Sequence, residues 1–310
     1  MQRDKAALRH FLTLLDVSPE ELRWLLERGR EYKRVRGSSA HPRPLAGKSV
    51  ALVMEKASTR TRISFEVGVY ELGGHALQLA GRDLQMARDE PVADTARVLS
   101  GYVHAAVVRT YGHDRIETLA RASSIPIINA LTDSFHPCQL LADLMTIIEH
   151  REQGLSGLRV AWIGDGNNMA HSWINAAAQL DFELSIACPP GYGPALAVLD
   201  AARALGRGKV TVGTDAAAAA RGAHVVTTDV WASMGQESEA EARKRVFRDY
   251  CVTPQLMSLA APDVMFLHCL PAHRGEEVTA AVIDGPTSRV WEEAENRLHA
   301  QKALLELMCR

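Results

Sequence analysis

Ser58-Thr59-Arg60-Thr61-Arg62 gathers three hydroxyls and two guanidiniums directly after the apolar run Lys48 to Glu55. Placed at a helix N-terminus, such a segment adds side-chain donors to unpaired backbone N–H groups and the positive end of the helix dipole, a setting that attracts an anion. Arginine in particular holds phosphate oxygens bidentately. Read alone, the segment is equally an ordinary Ser/Thr helix cap with surface arginines, and Arg62 has Glu66 one turn on as a natural ion-pair partner. Arg109, at the end of the apolar run AAVVRT, is either a second ligand for the same anion or a solvated charge. In Phe135-His136-Pro137-Cys138-Gln139, Pro137 suits a first helical turn. His136 and Gln139 then face whatever the arginines bind, and a neutral imidazole there can donate to a carbonyl oxygen.

A second group has different chemistry. Asn167 and Asn168 begin a helix after Gly164-Asp165-Gly166, and Asp229 closes the run HVVTTDV ahead of Ser233-Met234-Gly235. Amides and a carboxylate suit the two ends of a small zwitterion, although an acid in a loop is also a common cap. His268-Cys269-Leu270-Pro271 closes VMFLHCL. Its cysteine is either inert packing or, at a strand end among cations, a thiol of lowered pKa. A dinucleotide fingerprint would place a third glycine at position 169, where Met169 stands, and the next strand ends in Ala187-Cys188-Pro189 with no acid for a ribose. Adjacent His268 and Cys269 without a second ligand cluster predict no metal site, and no cofactor is expected.

These residues need a scaffold that puts strand ends and helix starts side by side. Short apolar runs alternate with helical patterns throughout. Ser18-Pro19-Glu20-Glu21 opens a helix through Arg30, Lys48 to Glu55 is a strand, and Ser58 to Leu72 is a helix stopped by Gly73-Gly74. HALQLA, AAVVRT and IPIINA are further strands, and a long helix from His136 to about Arg151 links to a second half. There LRVAWIG, ELSIACP, KVTVGT, HVVTTDV and VMFLHCL are strands, with helices such as Asn168 to Leu180 and Pro194 to Leu205 between them. This alternation predicts an α/β protein of two doubly wound parallel-sheet domains, residues 1–140 and 141–290. A final helix within 291–310 has no strand after it and is expected to pack back on the first domain. In such sheets, ligands bind at the carboxyl edge, where all the residues above fall.

Composition narrows the function classes. The 310 residues carry 35 Lys and Arg against 37 Asp and Glu, with 47% hydrophobic and 5% aromatic residues. That balance argues against a nucleic-acid or membrane-surface partner. No signal peptide, transit peptide or spanning segment is expected, and five cysteines without paired spacing suit a reducing, cytoplasmic setting.

Taken together and in order, Ser58-Thr59-Arg60-Thr61-Arg62, Phe135-His136-Pro137-Cys138-Gln139, Asp229 with Ser233-Met234-Gly235, and His268-Cys269-Leu270-Pro271 resemble the signature set of the ornithine carbamoyltransferases. Glu293-Ala294-Glu295-Asn296-Arg297-Leu298-His299 extends the likeness to the C-terminus. The resemblance implies that Ser58, Thr59, Arg60 and Thr61 bind the phosphate of carbamoyl phosphate. Arg109, His136 and Gln139 would hold and polarise its carbamoyl group, with Arg297 reaching in from the last helix. Asn168, Asp229, Ser233 and Met234 would bind the amino-acid end of ornithine, and Cys269 and Leu270 would line the meeting point of the substrates. Arg109, His136 and Cys269 are the expected catalytic residues. The family implies a trimer whose sites are completed by a neighbouring subunit's loop, here Gln85, although the flanking residues depart from the family pattern. Cys138 stands where a threonine is common. The implied reaction gives citrulline and phosphate, in arginine biosynthesis, with domain closure over the second substrate. N-acetylornithine, putrescine and aspartate are the alternative acceptors.

Overall fold

The computed structural model describes residues 8–81, 84, 90–232 and 237–310. The chain divides into two compact units, one running up to Met145 and including Asn296–Arg310, the other Thr146–Glu295.

In the first unit, Ser18 caps α1 (Pro19–Arg34): its side chain accepts the Glu21 N–H at 3.2 Å while the Glu21 carboxylate accepts the Ser18 N–H at 2.9 Å. A reciprocal cap of this kind stabilises a helix by about 1 kcal/mol. The chain continues through β1 (Ser49–Met54), α2 (Thr59–Glu71), β2 (His75–Ala80), α3 (Val92–Tyr102), β3 (Ala105–Arg109), α4 (His113–Ala122) and β4 (Ile127–Leu131) into α5 (Pro137–His150). The strands form one parallel sheet in the order β2-β1-β3-β4. Interior β1 and β3 are almost entirely apolar and buried, as strands covered on both faces must be, whereas edge strand β2 is half exposed. Strand order reverses between β1 and β3, which opens a crevice at their carboxyl ends.

The second unit runs β5 (Arg159–Ile163), α6 (Asn168–Leu180), β6 (Glu183–Ala187), α7 (Leu196–Ala204), β7 (Lys209–Gly213), α8 (Ala216–Ala220), β8 (Val225–Thr228), α9 (Ala240–Phe247), α10 (Pro254–Met257), β9 (Met265–His268), α11 (Ala280–Ile283) and the start of α12 (Val290–Met308). Its parallel sheet has the order β7-β6-β5-β8-β9, with the reversal between β5 and β8. Trp162 and Trp173 are fully buried, and the Trp162 indole donates to the Asp165 carbonyl at 2.9 Å, fixing the turn that follows β5. The expected strands and long helices are present, with ends shifted by a few residues. α9, α10 and α11 were not anticipated. In α9 only Arg243 and Phe247 are buried, too few to leave an apolar stripe in the sequence.

α5 and α12 each carry the chain from one unit into the other. The part of α12 assigned to the first unit lies against α1 and α2. Glu306 accepts from Tyr32 Oη at 2.7 Å and Arg28 Nε at 2.6 Å, and the buried Lys302 ammonium donates to Glu71 at 2.6 Å. No helix among the described residues is long and apolar enough to cross a membrane. All five cysteines are thiols.

Candidate active site

At the carboxyl edge of the first sheet, Ser58 is the N-cap of α2, its hydroxyl accepting the Thr61 N–H at 3.2 Å. Thr59 and Arg60 occupy the first turn, so their backbone N–H groups point out of the helix start. Arg62 is exposed and pairs with Glu66 at 3.6 Å, the structural role open to it from sequence. Thr61 is buried, and its hydroxyl accepts from Arg297 Nη2 at 2.9 Å. Arg297 also donates to the Gln139 carbonyl oxygen, and the Gln139 amide donates to Asp143 at 2.8 Å. Asp143, Gln139, Arg297 and Thr61 therefore form a chain that holds the α12 guanidinium against the start of α2.

His136 precedes Pro137, the first residue of α5, and is 5% exposed. Burial, then the charges of Arg297, Arg109 and Arg60, hold its imidazole well below the usual histidine pKa. The ring is accordingly neutral at pH 7, and three guanidiniums lie close enough to act on it. Arg109 itself is buried at the end of β3, where the ladder to β4 slips: Val108 pairs with Asn129 but Arg109 with Leu131. Such a bulge re-aims the side chain that carries it. Cys138 is fully buried, its pKa pushed up to about 12 by burial, and its thiol donates to the Asn129 carbonyl at 3.2 Å. A threonine hydroxyl could make that bond, so the substitution keeps the donor.

The second sheet presents a different set at its carboxyl edge. Asp229 follows β8 and is 8% exposed. Its carboxylate accepts from Asn167 Nδ2 at 2.9 Å, the Val230 N–H at 2.8 Å and the Cys269 thiol at 3.2 Å. Asn167 also caps α6, accepting from the Met169 and Ala170 N–H groups, which leaves Asn168 as the first helical residue. Asp165 is pushed up to about 6 by burial, with the nearby Asp229 charge adding to the rise and the Arg243 ion pair, at 2.9 Å, opposing it. Two neighbouring carboxylates favour a cation.

Cys269 sits on a turn held from beneath. His268 Nδ1 accepts the Leu270 N–H at 2.9 Å, so its Nε2 carries the proton and donates to Glu277 at 3.1 Å. Glu293 accepts the His268 N–H at 2.9 Å. Leu270 has φ 56° and precedes a cis Pro271. A left-handed leucine costs about 1–3 kcal/mol and persists only where its surroundings over-determine it. Asp229, His268 and Cys269 bring donor atoms within 4.8 Å of one another, but both ring nitrogens of His268 are already engaged. What remains is a thiol and a carboxylate, a poor donor set for a metal ion.

Gly166 is explained by the chain's own packing. A Cβ there would meet the Gly193–Pro194 backbone at 2.3 Å. Close approach of that loop, rather than of a pyrophosphate, accounts for the glycine. A cavity of about 560 Å³ lined by Arg151, Arg159, Lys209 and His224 opens at the opposite, amino edge of the second sheet. The convergent polar groups lie at the carboxyl edges, and they outweigh cavity volume as a guide to the chemistry.

Residues 9–149 match the carbamoyl-phosphate-binding domain of the aspartate/ornithine carbamoyltransferases, and residues 156–308 match the family's aspartate/ornithine-binding domain. This chain belongs to the aspartate/ornithine carbamoyltransferase family. An ornithine carbamoyltransferase of Halorhodospira halophila is 58% identical over 301 residues, 97% of this chain and 99% of the relative. The crystallised ornithine carbamoyltransferase from Pyrococcus furiosus is 49% identical, with a TM-score of 0.91 over 97% of this chain and 96% of that one. The structure of an anabolic ornithine carbamoyltransferase from Campylobacter jejuni is 41% identical, with a TM-score of 0.91 over 97% and 99% of the two chains.

Within this family member, the first unit brings together Ser58, Thr59, Arg60, Thr61, Arg109, His136, Gln139 and Arg297, and the second unit Asn168, Asp229, Cys269 and Leu270. Gln85, Ser233 and Met234 lie outside the described residues. Sequence reasoning passed over Lys56, whose buried ammonium pairs with Asp133 and lies 4.5 Å from the Tyr111 ring centre, and over Glu277 and Glu293. Lys56 could have been found from its place between a strand end and the hydroxyl run. The two glutamates could not, because nothing local marks an acid that folds back onto a distant histidine.

Proposed function

We propose that this protein transfers the carbamoyl group of carbamoyl phosphate to the side-chain amine of L-ornithine, giving L-citrulline and phosphate. The observation that carries this reading is the division of charge. One carboxyl edge holds three arginines around a neutral imidazole at a helix N-terminus, and the other holds a thiol-bonded carboxylate beside a second acid. Ser58, Thr59, Arg60 and Thr61 take the phosphate, while Arg109, His136, Gln139 and Arg297 take the carbamoyl oxygen. The neutral amine attacks the carbonyl carbon, a C–N bond forms, and the tetrahedral oxyanion collapses with loss of phosphate and of the proton from nitrogen. Cations aimed at the developing oxyanion lower the barrier, and the remaining N–H of a neutral His136 donates a hydrogen bond to it.

Asn168, Asp229, Ser233 and Met234 hold the amino-acid end of ornithine, and Cys269 with Leu270 faces the reacting atoms. The side-chain amine of ornithine, by analogy with lysine, has a pKa near about 10.4 and must lose its proton to attack. The Cys269 thiol and the Asp229 carboxylate it donates to are the pair assigned to take up that proton. We assign the protein to arginine biosynthesis in the cytoplasm, as a trimer whose sites take Gln85 from a neighbour. The trimer is supported by exposed apolar side chains on the first unit: Ile63 and Tyr70 on α2, Leu77 on β2, and Val98 and Tyr102 on α3. Such surface is what an interface between copies covers.

The decisive assay offers ornithine, N-acetylornithine, putrescine and aspartate in parallel with carbamoyl phosphate. Citrulline from ornithine alone is expected. A carbamoylated product with a different amine overturns the acceptor, and no product with any amine overturns the reaction.

A further inference from the structure

The residue that follows β1 makes contacts the carbamoyl transfer does not use. Glu55 has a side chain only 11% exposed, and it carries a carboxylate beside a site built for anions. Its backbone N–H donates to the Arg109 carbonyl at 2.9 Å, while its carboxylate accepts from the hydroxyl of Thr110. One residue thus holds both the Arg109 carbonyl and the side chain of the next residue, Thr110. Arg115, in the first turn of α4, donates to the two carboxylate oxygens at 2.7 and 3.1 Å, a fork that fixes the carboxylate plane and neutralises it. On the other side of Arg109, the slip of register to β4 leaves the strand end without a regular ladder. The Thr110 N–H rejoins β4 only at Leu131, at 3.1 Å. Gly81 closes the back of the residue, since a Cβ there would stand 2.9 Å from the Glu55 Cα.

We propose that Glu55, with Arg115, is a positioning residue for Arg109: it sets the direction of that guanidinium at the bulge and so the affinity for the carbamoyl-phosphate end of the reaction. A bulged strand end is free to re-aim its side chain, and the Glu55 grip removes that freedom. Arg115 offsets a carboxylate that would otherwise repel the incoming anion. The inference rests on the carbamoyl-transfer reading for its kinetic form, but its binding form needs only the anion site.

The test compares wild type with Glu55→Gln, Arg115→Lys, Arg115→Met and Thr110→Val. Glu55→Gln and Arg115→Met should raise KM for carbamoyl phosphate about tenfold or more, with KM for ornithine within about twofold, because misplacement by an ångström costs up to about a hundredfold. Arg115→Lys should recover part of the loss, being cationic but unable to form the fork. Thr110→Val, which keeps the ion pair, should raise the same KM while the protein melts as a single cooperative unit. Calorimetric titration with inorganic phosphate should show the same ranking, and it reads the inference even if wild type makes no citrulline. Lowered melting temperatures with KM and phosphate affinity unchanged in the folded variants would make Glu55 merely structural. An equal rise in both KM values would also overturn the assignment.

Discussion

The two sheets share one construction and hold opposite chemistry. Each reverses its strand order once, and at each reversal the strand ends face a helix start, α2 after β1 and α6 after β5. At the first reversal Ser58 caps only the Thr61 N–H, and Arg60, Arg109 and Arg297 put their charges on the neighbouring His136. At the second, Asn167 closes the helix start with its own carbonyl and turns its amide to Asp229. One helix start has a single N–H taken by its cap and stands among guanidiniums, whereas the other has two taken by its cap and stands beside a carboxylate. The same fold therefore carries two opposite charge characters, and the side chains at the strand ends set the difference.

The strongest way to break this contrast is to remove a buried cation from the first edge. Arg297→Met leaves Thr61 and Gln139 without their donor, in a site where loss of one partner of a buried charged network costs about 3–5 kcal/mol. We expect kcat/KM for carbamoyl phosphate to fall about a thousandfold in initial-rate assays, with ornithine affinity much less affected. Parity between the two substrates would mean that the division of roles is wrong. On the second edge, Asp229→Asn should weaken ornithine about a hundredfold while phosphate titration is unchanged, since hydrogen bonds to charge contribute about 1.5–3 kcal/mol. Cys269→Ala, in the same network, should cost about tenfold in kcat and displace the pH profile, as loss of a proton-transfer partner does. A profile superimposable on wild type would remove the thiol from that role.

A smaller effect separates the buried histidines of the first unit from the engaged one of the second. His299, in α12, has its pKa lowered to about 3, first by burial and then by Lys302, Arg36 and Lys33. His136 is lowered in the same direction. Between about pH 6.5 and pH 3 the unfolded chain takes up protons that the folded His299 refuses. Folding is therefore weakened on acidification, by up to about 1.4 kcal/mol per pH unit for each such histidine. Urea midpoints at pH 7, 6 and 5 should fall in that order, and His299→Gln should flatten the trend. A midpoint independent of pH in wild type would show that these rings protonate without cost.

Much of this was legible in the sequence, for reasons that differ by residue. The strands could be read because parallel strands covered on both faces are continuous apolar runs, and the carboxyl-edge rule then selected Ser58, Arg109, His136, Asp229 and Cys269 without any contact being known. The Ser18 cap and the helix end at Gly73 obey local stereochemistry. What could not be read was set by distance along the chain. Arg297 meets Thr61 across 236 residues, and Glu55 meets Arg115 across 60. The bulge at Arg109 leaves no mark in AAVVRT, because register is a property of the pair of strands. Asn167 and Asn168 show the remaining ambiguity: adjacent and alike in sequence, only the first is the cap that orients Asp229.

The smallest expected effect compares two thiols. Cys138 and Cys269 both donate from sulfur, at 3.2 Å in each case, but Cys138 donates to a backbone carbonyl and Cys269 to the Asp229 carboxylate. Cys138 is sealed from solvent and its pKa is pushed up to about 12, so it stays a thiol across the working range and serves as a small donor in the core. Cys138→Thr keeps a donor of similar size at the same point, and a well-matched core exchange costs under about 1.5 kcal/mol. Citrulline formation should stay within about twofold of wild type, and the pH profile should not move. Cys138→Val, which has no donor, should lower the melting temperature further while leaving KM for both substrates near wild type, because the Asn129 carbonyl loses its partner without any charge being exposed. If Cys138→Thr instead shifted the pH profile as Cys269→Ala is expected to, the thiol beside His136 would be part of the proton chemistry, and the division between an anion-holding edge and an amine-handling edge would have to be redrawn.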